Sequence, residues 1–351
     1  MKSMLQLLGH ILRISSRRDR TEINSELLDA MADLFQPRGM TLYRCYANEE
    51  RAIVFACAGI NANGKYVRNA YLPDQRYCKP IDTDLLLKRC QQENSLVLDT
   101  MDQGFQRLVF PISQDKHLLY LIDVVLPENF LADQRVGLMG LTEFFAKHIA
   151  LLDYGESDTL TGLANRKTFD KHLFEVLGSA ATDASAGQDD LPQRRHNAAD
   201  DTLHWLAVCD IDKFKSVNDT YGHLMGDEVL VVLAQLMRKS FRLADQLFRF
   251  GGEEFVVVLQ PTSIEHAHSV FERFRANVAA YAFSQVGRCT ISIRFTQLKP
   301  SDSPSAVIDR ADEALYYAKE HGRNQVAFYE ELISSGKMAA KTVDHGEIEL
   351  F

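Results

Sequence analysis

Two acids follow a short apolar run in the second half of the chain. The run Leu206–Cys209 leads into Asp210, and Asp212 lies two residues further on. An apolar run that ends in acids is typical of a buried strand that delivers carboxylates to a sheet edge, where ligands bind in α/β folds. Mg²⁺ is usually held by one or two carboxylates together with oxygens of a phosphorylated substrate. The pattern therefore indicates metal-assisted phosphate chemistry, with ordinary surface acids as the alternative.

A second pair of acids lies at the tip of a predicted hairpin. Glu253 and Glu254 follow Gly251 and Gly252, and the apolar strand Phe255–Leu259 comes next. Adjacent glycines permit a tight turn with positive φ and let the backbone approach a ligand closely. Since a plain turn does not require two acids, the pattern favours a functional site.

Two further clusters have side chains suited to a nucleotide. Asn218 and Asp227 delimit a glycine-containing segment that we predict to be a loop opening a helix, with a capped turn as the alternative. A carboxylate can accept hydrogen bonds from both N–H groups on the edge of guanine. Lys319 and Arg323 lie near the end of a predicted helix that stops at Gly322. Two cations on one side of a helix end suit a triphosphate, and a solvated helix face has the same pattern.

The composition limits the classes of function. The chain has 351 residues, which predicts two domains, and 46% of them are hydrophobic, as in globular proteins. Its 39 Lys and Arg against 48 Asp and Glu give a net charge of −9. This balance argues against a nucleic-acid partner, which requires a basic face, but it permits a small phosphorylated ligand.

No run approaches the roughly 18 apolar residues of a membrane-spanning helix. The N-terminal segment Met4–Ile14 is interrupted by polar residues and has no cleavage site behind it, so we do not predict a signal peptide. We predict a short amphipathic helix that packs on its own domain or a dimer partner, with a membrane surface as the alternative. The six cysteines form no Cys-x-x-Cys pair, which argues against zinc and redox sites. We expect a cytoplasmic protein without disulfides.

Helical and strand patterns organise the first half of the chain. We predict helices over Ile23–Phe35 and Asp82–Gln92, and a long helix over Ala132–Tyr154. The predicted strands are Met40–Tyr46, Ala52–Ala58, Ser95–Leu98, Phe105–Ile112 and His117–Leu126. This order predicts an α+β domain with a central antiparallel sheet.

The long helix and a later polar stretch bear on how the two halves are connected. Apolar residues of the helix, among them Leu138, Leu141 and Phe145, recur at helical spacing. The helix either closes the first domain or continues as a two-stranded coil that transmits a signal. Small and charged residues dominate 179–201, and we predict a flexible surface insertion that is looped out.

Together the four clusters closely resemble the GGDEF family of diguanylate cyclases. The resemblance covers about Asp158–Tyr329 and includes the family's opening segment, Asp158–Arg166. It implies an adenylyl-cyclase-like α/β domain with a five-stranded sheet. The order of elements in the first half, with Phe130–Asp133 opening the long helix, resembles a GAF-type sensor domain, an α/β (α+β) fold with a small-molecule pocket.

These resemblances divide the chain into five segments. The segments are an N-terminal amphipathic helix at 1–20, a GAF-like sensor domain at 21–133, a connecting coiled-coil-like helix at 134–157, a GGDEF domain at 158–330 and a C-terminal tail at 331–351.

The GGDEF resemblance also implies a reaction and its residues. Two GTP molecules are joined into cyclic di-GMP with release of two pyrophosphates, at a Mg²⁺-dependent site (Mn²⁺ being an alternative metal) formed by a homodimer. The implied metal ligands are Asp210, the backbone carbonyl of Ile211 and Glu253. Glu254 is implied to help deprotonate the attacking 3′-hydroxyl. The implied GTP-binding residues are Asn218 and Asp227 for guanine, and Lys215, Lys319, Arg323 and the backbone at Phe214 for the phosphates.

A product-inhibition site is implied beside the hairpin. Arg242 and Asp245 form an Arg-x-x-Asp motif at the spacing of the family's inhibitory site, and Arg273 matches its secondary arginine. The retained Asp227 implies GTP in preference to ATP. One departure is Arg294, where the family usually has glycine; we expect it to alter packing or the dimer surface.

The complete set of motif residues favours an active cyclase that is regulated by its first half. The alternative from another class is a catalytically inactive receptor that binds cyclic di-GMP. A third interpretation makes the first half the main functional unit, with the cyclase as its output. The expected partners are GTP, cyclic di-GMP, a second copy of the chain and an unidentified small-molecule signal.

Overall fold

The computed structural model describes residues 2–47, 52–68, 77–114, 117–129, 132–185, 203–299, 301–310, 313 and 321–338. The chain divides into two units, Met1–Ser157 and Asp158–Phe351. No helix in the described ranges is long and apolar enough to cross a membrane. All six cysteines are free thiols, in agreement with the sequence prediction.

The first unit is an antiparallel sheet with helices on both faces. Its helices are α1 (Lys2–Ser16), α2 (Arg20–Phe35), α3 (Leu85–Glu93) and α4 (Ala132–Glu156). Its strands are β1 (Gly39–Ala47), β2 (Ala52–Asn61), β3 (Gly64–Val67), β4 (Cys78–Pro80), β5 (Val97–Met101), β6 (Phe105–Gln114) and β7 (His117–Pro127). The sheet order is β3-β2-β1-β7-β6-β5, and β4 pairs with β2. The prediction of an α+β unit with a central antiparallel sheet is confirmed.

Each face of this sheet has its own apolar core. On one face α2 contributes Leu27 and Met31, which are fully buried with Phe55 and Ile122 of the sheet. On the other face α3 packs its own apolar side chains against the strands. This second core comprises Val54, Ile81, Leu86, Leu87, Cys90, Val97, Val109 and Leu121. The alternation of side chains along each strand allows one sheet to serve both cores.

The apolar stripe of α4 belongs to the first unit. Leu138, Leu141, Phe145 and Ile149 are at most 1% exposed and lie in the same core as α2. Of the two interpretations of this helix, the burial of these four residues favours the closing helix, and a two-stranded coil that continues from it stays a prediction. A stripe that packs on a sheet and a coiled-coil seam have nearly the same period, so the sequence does not distinguish them.

The N-terminal helix α1 packs on its own unit through one face. Ile14 is fully buried and His10 is 3% exposed, whereas Leu5, Leu8 and Leu12 are more than half exposed. The helix ends at Ser16, and a separate helix, α2, begins at Arg20. Of the predicted opening of α4, Phe130 and Leu131 lie outside the described residues. The GAF-like assignment stays a prediction.

The second unit is a six-stranded sheet with helices packed against it. Its helices are α5 (Arg166–Ser185), α6 (Phe214–Tyr221), α7 (His223–Ser240), α8 (Ile264–Ala280), α9 (residues 304–310) and α10 (Tyr329–Ser334). Its strands are β8 (Ala164–Asn165), β9 (Leu203–Ile211), β10 (Gln246–Gly251), β11 (Glu254–Thr262), β12 (Ala282–Phe283), β13 (Gly287–Arg288), β14 (Ile291–Gln297) and β15 (Val326–Phe328).

The strand order of this sheet places β9 at its centre. The order is β15-β14-β9-β11-β10-β8, while β12 and β13 form a separate two-stranded hairpin. The five strands implied by the resemblance are present, and the two-residue β8 adds a sixth at the edge. Residues Cys209 and Phe255 face the core formed with α7 and α8. Their neighbours Asp210 and Glu254 therefore face the opposite side of the sheet.

Two expectations about the second unit need correction. The segment predicted as a flexible insertion is helical as far as Ser185, because its alanines extend the helix that begins at Arg166; residues 186–202 lie outside the described part of the chain. Arg294 is fully buried on β14, opposite Val208 and Ala327 of the two neighbouring strands. It therefore affects internal packing, and the prediction that it forms part of a dimer surface is wrong.

Candidate active site

The end of β9 brings two of the predicted acids together. Asp210 is 3% exposed and lies directly opposite Glu254 of β11 and Ser292 of β14. Residues directly opposite in an antiparallel pair project from the same face of the sheet. Two like charges in this arrangement destabilise the pair, and a cation beside them would offset the repulsion. The register therefore places a candidate cation site at this point.

The turn that carries Glu253 is held by Arg249. The Nε and Nη2 atoms of Arg249 donate to the carbonyl of Gly252 at 3.2 and 2.9 Å, and Nη1 donates to both carboxylate oxygens of Asp158 at 3.1 Å. Burial alone would raise the pKa of Asp158, but hydrogen bonds from Thr161 and Arg249 lower it below its usual value. The charged carboxylate thus anchors the turn. Sequence analysis missed Arg249, because its partner is distant along the chain.

The predicted guanine-binding residues lie on two consecutive helices. Asn218 is on α6 and Asp227 is on α7, and the intervening Gly222 has a φ of 85°. The prediction of a loop over this segment is wrong, because the chain leaves the helical conformation only at this glycine. Gly226 packs against Asn218, since a Cβ at that position would lie 1.9 Å from Asn218 Oδ1. Asp227 is exposed next to it.

Two of the predicted phosphate contacts, Phe214 and Lys215, lie in the first turn of α6. Phe214 is buried in the first turn, and Lys215 beside it is exposed. Arg323 lines a cavity of about 480 Å³ together with Lys213 and Arg288. Cations at a helix N-terminus provide a favourable environment for an anion. Lys319 lies outside the described residues.

The predicted inhibitory residues also come together in space. Arg242, Asp245 and Arg273 line one cavity of about 60 Å³ with His266. One carboxylate oxygen of Asp245 accepts from the backbone N–H of Arg242 at 2.9 Å. Nη2 of Arg242 lies 3.0 Å from Nε2 of His266. Burial raises the pKa of Asp245 above its usual value. His266 is a member of this cluster that sequence analysis did not identify.

The oxygens at the end of β9 fit a metal ion that arrives with a substrate. Within the described ranges, no group of three or more His, Cys, Asp or Glu side chains is arranged to hold a metal. The oxygens near this point are those of the Asp210 carboxylate, the Ile211 carbonyl and the acids of the hairpin. One or two carboxylates suffice for Mg²⁺ when phosphate oxygens complete its coordination.

Comparisons with known proteins find a family match and relatives for part of the chain. Residues 185–325 match the family described as "Diguanylate cyclase, GGDEF domain". The chain is 42% identical over 173 residues to diguanylate cyclase DgcP of Pseudomonas aeruginosa. The aligned residues cover 48% of this chain and 23% of DgcP. It is 37% identical over 169 residues to diguanylate cyclase DgcM of Escherichia coli K12, covering 48% of this chain and 37% of DgcM.

A solved structure is similar to about half of the chain. The GGDEF domain of DgcB from Caulobacter crescentus, in complex with c-di-GMP, is 34% identical and covers 50% of this chain and 96% of that domain, with a TM-score of 0.42. The curated relatives are longer proteins, because the chain spans only 23% and 37% of the first two.

Proposed function

We propose, from the GGDEF domain that this chain contains, that the protein is a diguanylate cyclase that joins two GTP molecules into cyclic di-GMP and releases two pyrophosphates. The observation that carries the proposal is the register that places Asp210 opposite Glu254, with Glu253 in the adjoining turn. These acids lie within the residues that match the family. Phosphoryl transfer requires positioning and charge neutralisation more than covalent help from the protein.

The acids divide into two roles. Asp210, the carbonyl of Ile211 and Glu253 are the groups that would hold Mg²⁺ or Mn²⁺. A bound divalent ion would neutralise charge on the triphosphate. Glu254 is the proposed acceptor of the proton from the 3′-hydroxyl that attacks the α-phosphorus of the second GTP. Its position on the same sheet face as Asp210 supports this role.

The remaining residues hold the substrate. Asn218 and Asp227 are proposed to bind the guanine edge, which favours GTP over ATP because a carboxylate accepts from the N–H groups that only guanine presents there. The phosphates are proposed to contact Lys215, Lys319, Arg323 and the backbone at Phe214. One domain is proposed to hold one GTP, so two copies of the chain must face each other to complete both transfers. The first unit is proposed as a GAF-like sensor for a small molecule.

The direct test is incubation of the purified full chain with GTP and Mg²⁺, after removal of any bound cyclic di-GMP. We expect chromatography and mass spectrometry to show cyclic di-GMP and pyrophosphate in a ratio of one to two, and EDTA to stop the reaction. Absence of product from the ligand-free dimer, with Mg²⁺ or Mn²⁺ and across a range of protein concentrations, would contradict the proposal.

Replacing Gly226 with Ala is expected to weaken GTP binding. The new Cβ would overlap Asn218 Oδ1 and displace this amide from the guanine edge. We expect the KM for GTP to rise about tenfold, as for the loss of one good hydrogen bond to the base. The matched control is Gly178→Ala on α5, where a Cβ meets nothing within 4 Å. Equal KM values for the two variants would argue against guanine binding beside Asn218.

The alternative function is a catalytically inactive receptor for cyclic di-GMP. The cavity lined by Arg242, Asp245 and Arg273 favours it, because guanidinium and carboxylate groups suit both the phosphates and the guanine edges of that ligand. In the proposed cyclase the same cavity is the site of product inhibition.

Replacing Arg242 with Ala is expected to abolish this inhibition. We expect the concentration of cyclic di-GMP that halves the initial rate to rise at least about tenfold, as for the loss of a charged hydrogen-bond partner. The rate without added product should stay close to that of the wild type. Unchanged inhibition would place the product elsewhere, and binding of cyclic di-GMP without any turnover in the wild type would favour the receptor.

A further inference from the structure

Asp212, the residue directly after β9, accepts hydrogen bonds from three donors. Its carboxylate accepts from Thr290 Oγ1 at 2.7 Å, from Ser292 Oγ at 2.7 Å and from the backbone N–H of Asn324 at 3.0 Å. Its own N–H donates to the carbonyl of Thr290 at 2.9 Å. The residue is 8% exposed. Both carboxylate oxygens of Asp212 thus accept hydrogen bonds that hold neighbouring segments of the unit in place.

One of these bonds reaches the turn that carries a proposed phosphate contact. Gly322, Arg323 and Asn324 have φ values of 109°, 60° and 45°. Two consecutive non-glycine residues in this region are strained, and they persist only where their surroundings hold them. The Asn324 side chain is held as well, because its Oδ1 accepts from Arg275 Nη1 at 2.7 Å. The turn is therefore anchored at Asn324 through both the backbone and the side chain of this residue.

The anchored turn forms one wall of the 480 Å³ cavity that Arg323 lines with Lys213. Asp212 thus connects two parts of the site through its own backbone and side chain. Its backbone continues β9, which carries Asp210, and its carboxylate holds the turn, which carries Arg323. All three donors are neutral, so in the described residues this carboxylate fixes orientation without forming an ion pair with Arg323.

We propose that Asp212 is a positioning residue that holds Arg323 where it meets the terminal phosphates of the substrate. This inference rests on the proposed function, in which Arg323 is a phosphate contact. It assigns different roles to the two acids after the apolar strand: Asp210 presents oxygens to the cation, and Asp212 aligns the cationic turn with it.

The test is a double-mutant cycle between Asp212 and Arg323 in the full chain. Asp212→Asn keeps the size of the side chain but removes the negative charge that strengthens its hydrogen bonds with Thr290, Ser292 and the Asn324 N–H. We expect the KM for GTP to rise about tenfold with a smaller change in kcat, as for loss of a charge-assisted hydrogen bond that orders a binding residue. In an Arg323→Ala background the same change should alter KM less than about twofold, because the residue that it positions is gone.

Control variants distinguish an effect on the position of Arg323 from a loss of folding of the domain. Asp309→Asn, at an exposed position of α9, should leave KM unchanged. Cyclic di-GMP affinity at the Arg242 cavity reports whether the domain is folded. Thr290→Val removes one donor and leaves the carboxylate, so it should raise KM in the same direction by a smaller factor. This variant keeps the test decisive where Asp212→Asn does not fold.

Two results would overturn the inference: KM effects of Asp212→Asn and Arg323→Ala that multiply independently, or a change in Mg²⁺ dependence with no change in KM. Equilibrium binding of GTP with Mg²⁺ is measured beside turnover. A wild type that binds GTP without converting it would refute the proposed function. The double-mutant cycle, measured as the affinity of each variant for GTP, would then still decide the role of Asp212.

Discussion

Replacing Glu253 with Gln is expected to reduce the rate of cyclic di-GMP formation about a hundredfold to a thousandfold, the size of effect seen when one group that stabilises charge in a transition state is removed. The amide keeps the shape of the side chain but presents no negative charge to a divalent cation. Its backbone is held by the Arg249 bonds to Gly252, which do not involve the carboxylate. The hairpin should therefore keep its conformation, and the loss should lie in the chemistry.

The measurement is the initial rate of product formation at saturating GTP, with equilibrium GTP binding measured in parallel. The matched control is Glu331→Gln, an exposed acid on α10 of the same unit, which should retain full activity. A Glu253→Gln variant that keeps more than about a tenth of the wild-type rate would contradict a metal-binding role for this carboxylate, since the metal ion that it would hold contributes several kcal/mol to transition-state stabilisation. The cation would then have to be held without this turn.

Replacing Arg20 with Ala is expected to destabilise the first unit strongly. Arg20 is 1% exposed; its Nε donates to Glu156 at 2.7 Å, its Nη1 donates to the Tyr120 hydroxyl at 3.2 Å, and its Nη2 pairs with Asp153. The bonds join the first residue of α2 to the last turn of α4. Removing one partner of a buried ion pair leaves uncompensated charge and costs about 3–5 kcal/mol of the free energy of unfolding.

The control for this prediction is Arg89→Ala, which breaks an exposed pair between Arg89 and Glu93 on α3. A surface pair of this kind contributes about 0.3–0.5 kcal/mol. Hydrogen exchange of the α2 amides reports the first unit, and fluorescence of Trp205, the single tryptophan, reports the second. Similar small losses for both variants would show that the charges at Arg20 are hydrated in the folded protein.

Local sequence patterns were sufficient to predict the elements that carry the candidate metal-binding acids. The apolar run before Asp210 predicts a buried strand that ends in acids, and Gly251 and Gly252 predict a tight turn that presents Glu253; the structure has both elements. These conclusions depend on a few neighbouring residues, and hydrophobic periodicity and glycine conformation are local properties. The sheet and helices of the first unit followed from the same kind of signal.

Where the sequence prediction was wrong or left alternatives open, two structures were compatible with one local pattern. The stripe on α4 suits a coil or a sheet, and only the presence of the α2 core shows which one it meets. The segment from Asn218 to Asp227 contains residues that favour turns and others that favour helices, and the chain leaves the helix only at Gly222. The alanines before Ser185 extend a helix because the preceding turns are already formed.

The sequence by itself determined which residue types are present for a cation, a guanine edge and phosphates, because each motif is short and its residues act close to where they lie in the chain. Only the tertiary structure decided their supporting contacts. Arg249 donates a hydrogen bond to Asp158, 91 positions away in the chain, and Asp212 accepts one from Asn324, 112 positions away. Arg20 donates one to Glu156, 136 positions away. The physical reason is that such pairs depend on strand order and helix packing, which bring distant residues within hydrogen-bond distance without leaving a periodic signal in the chain.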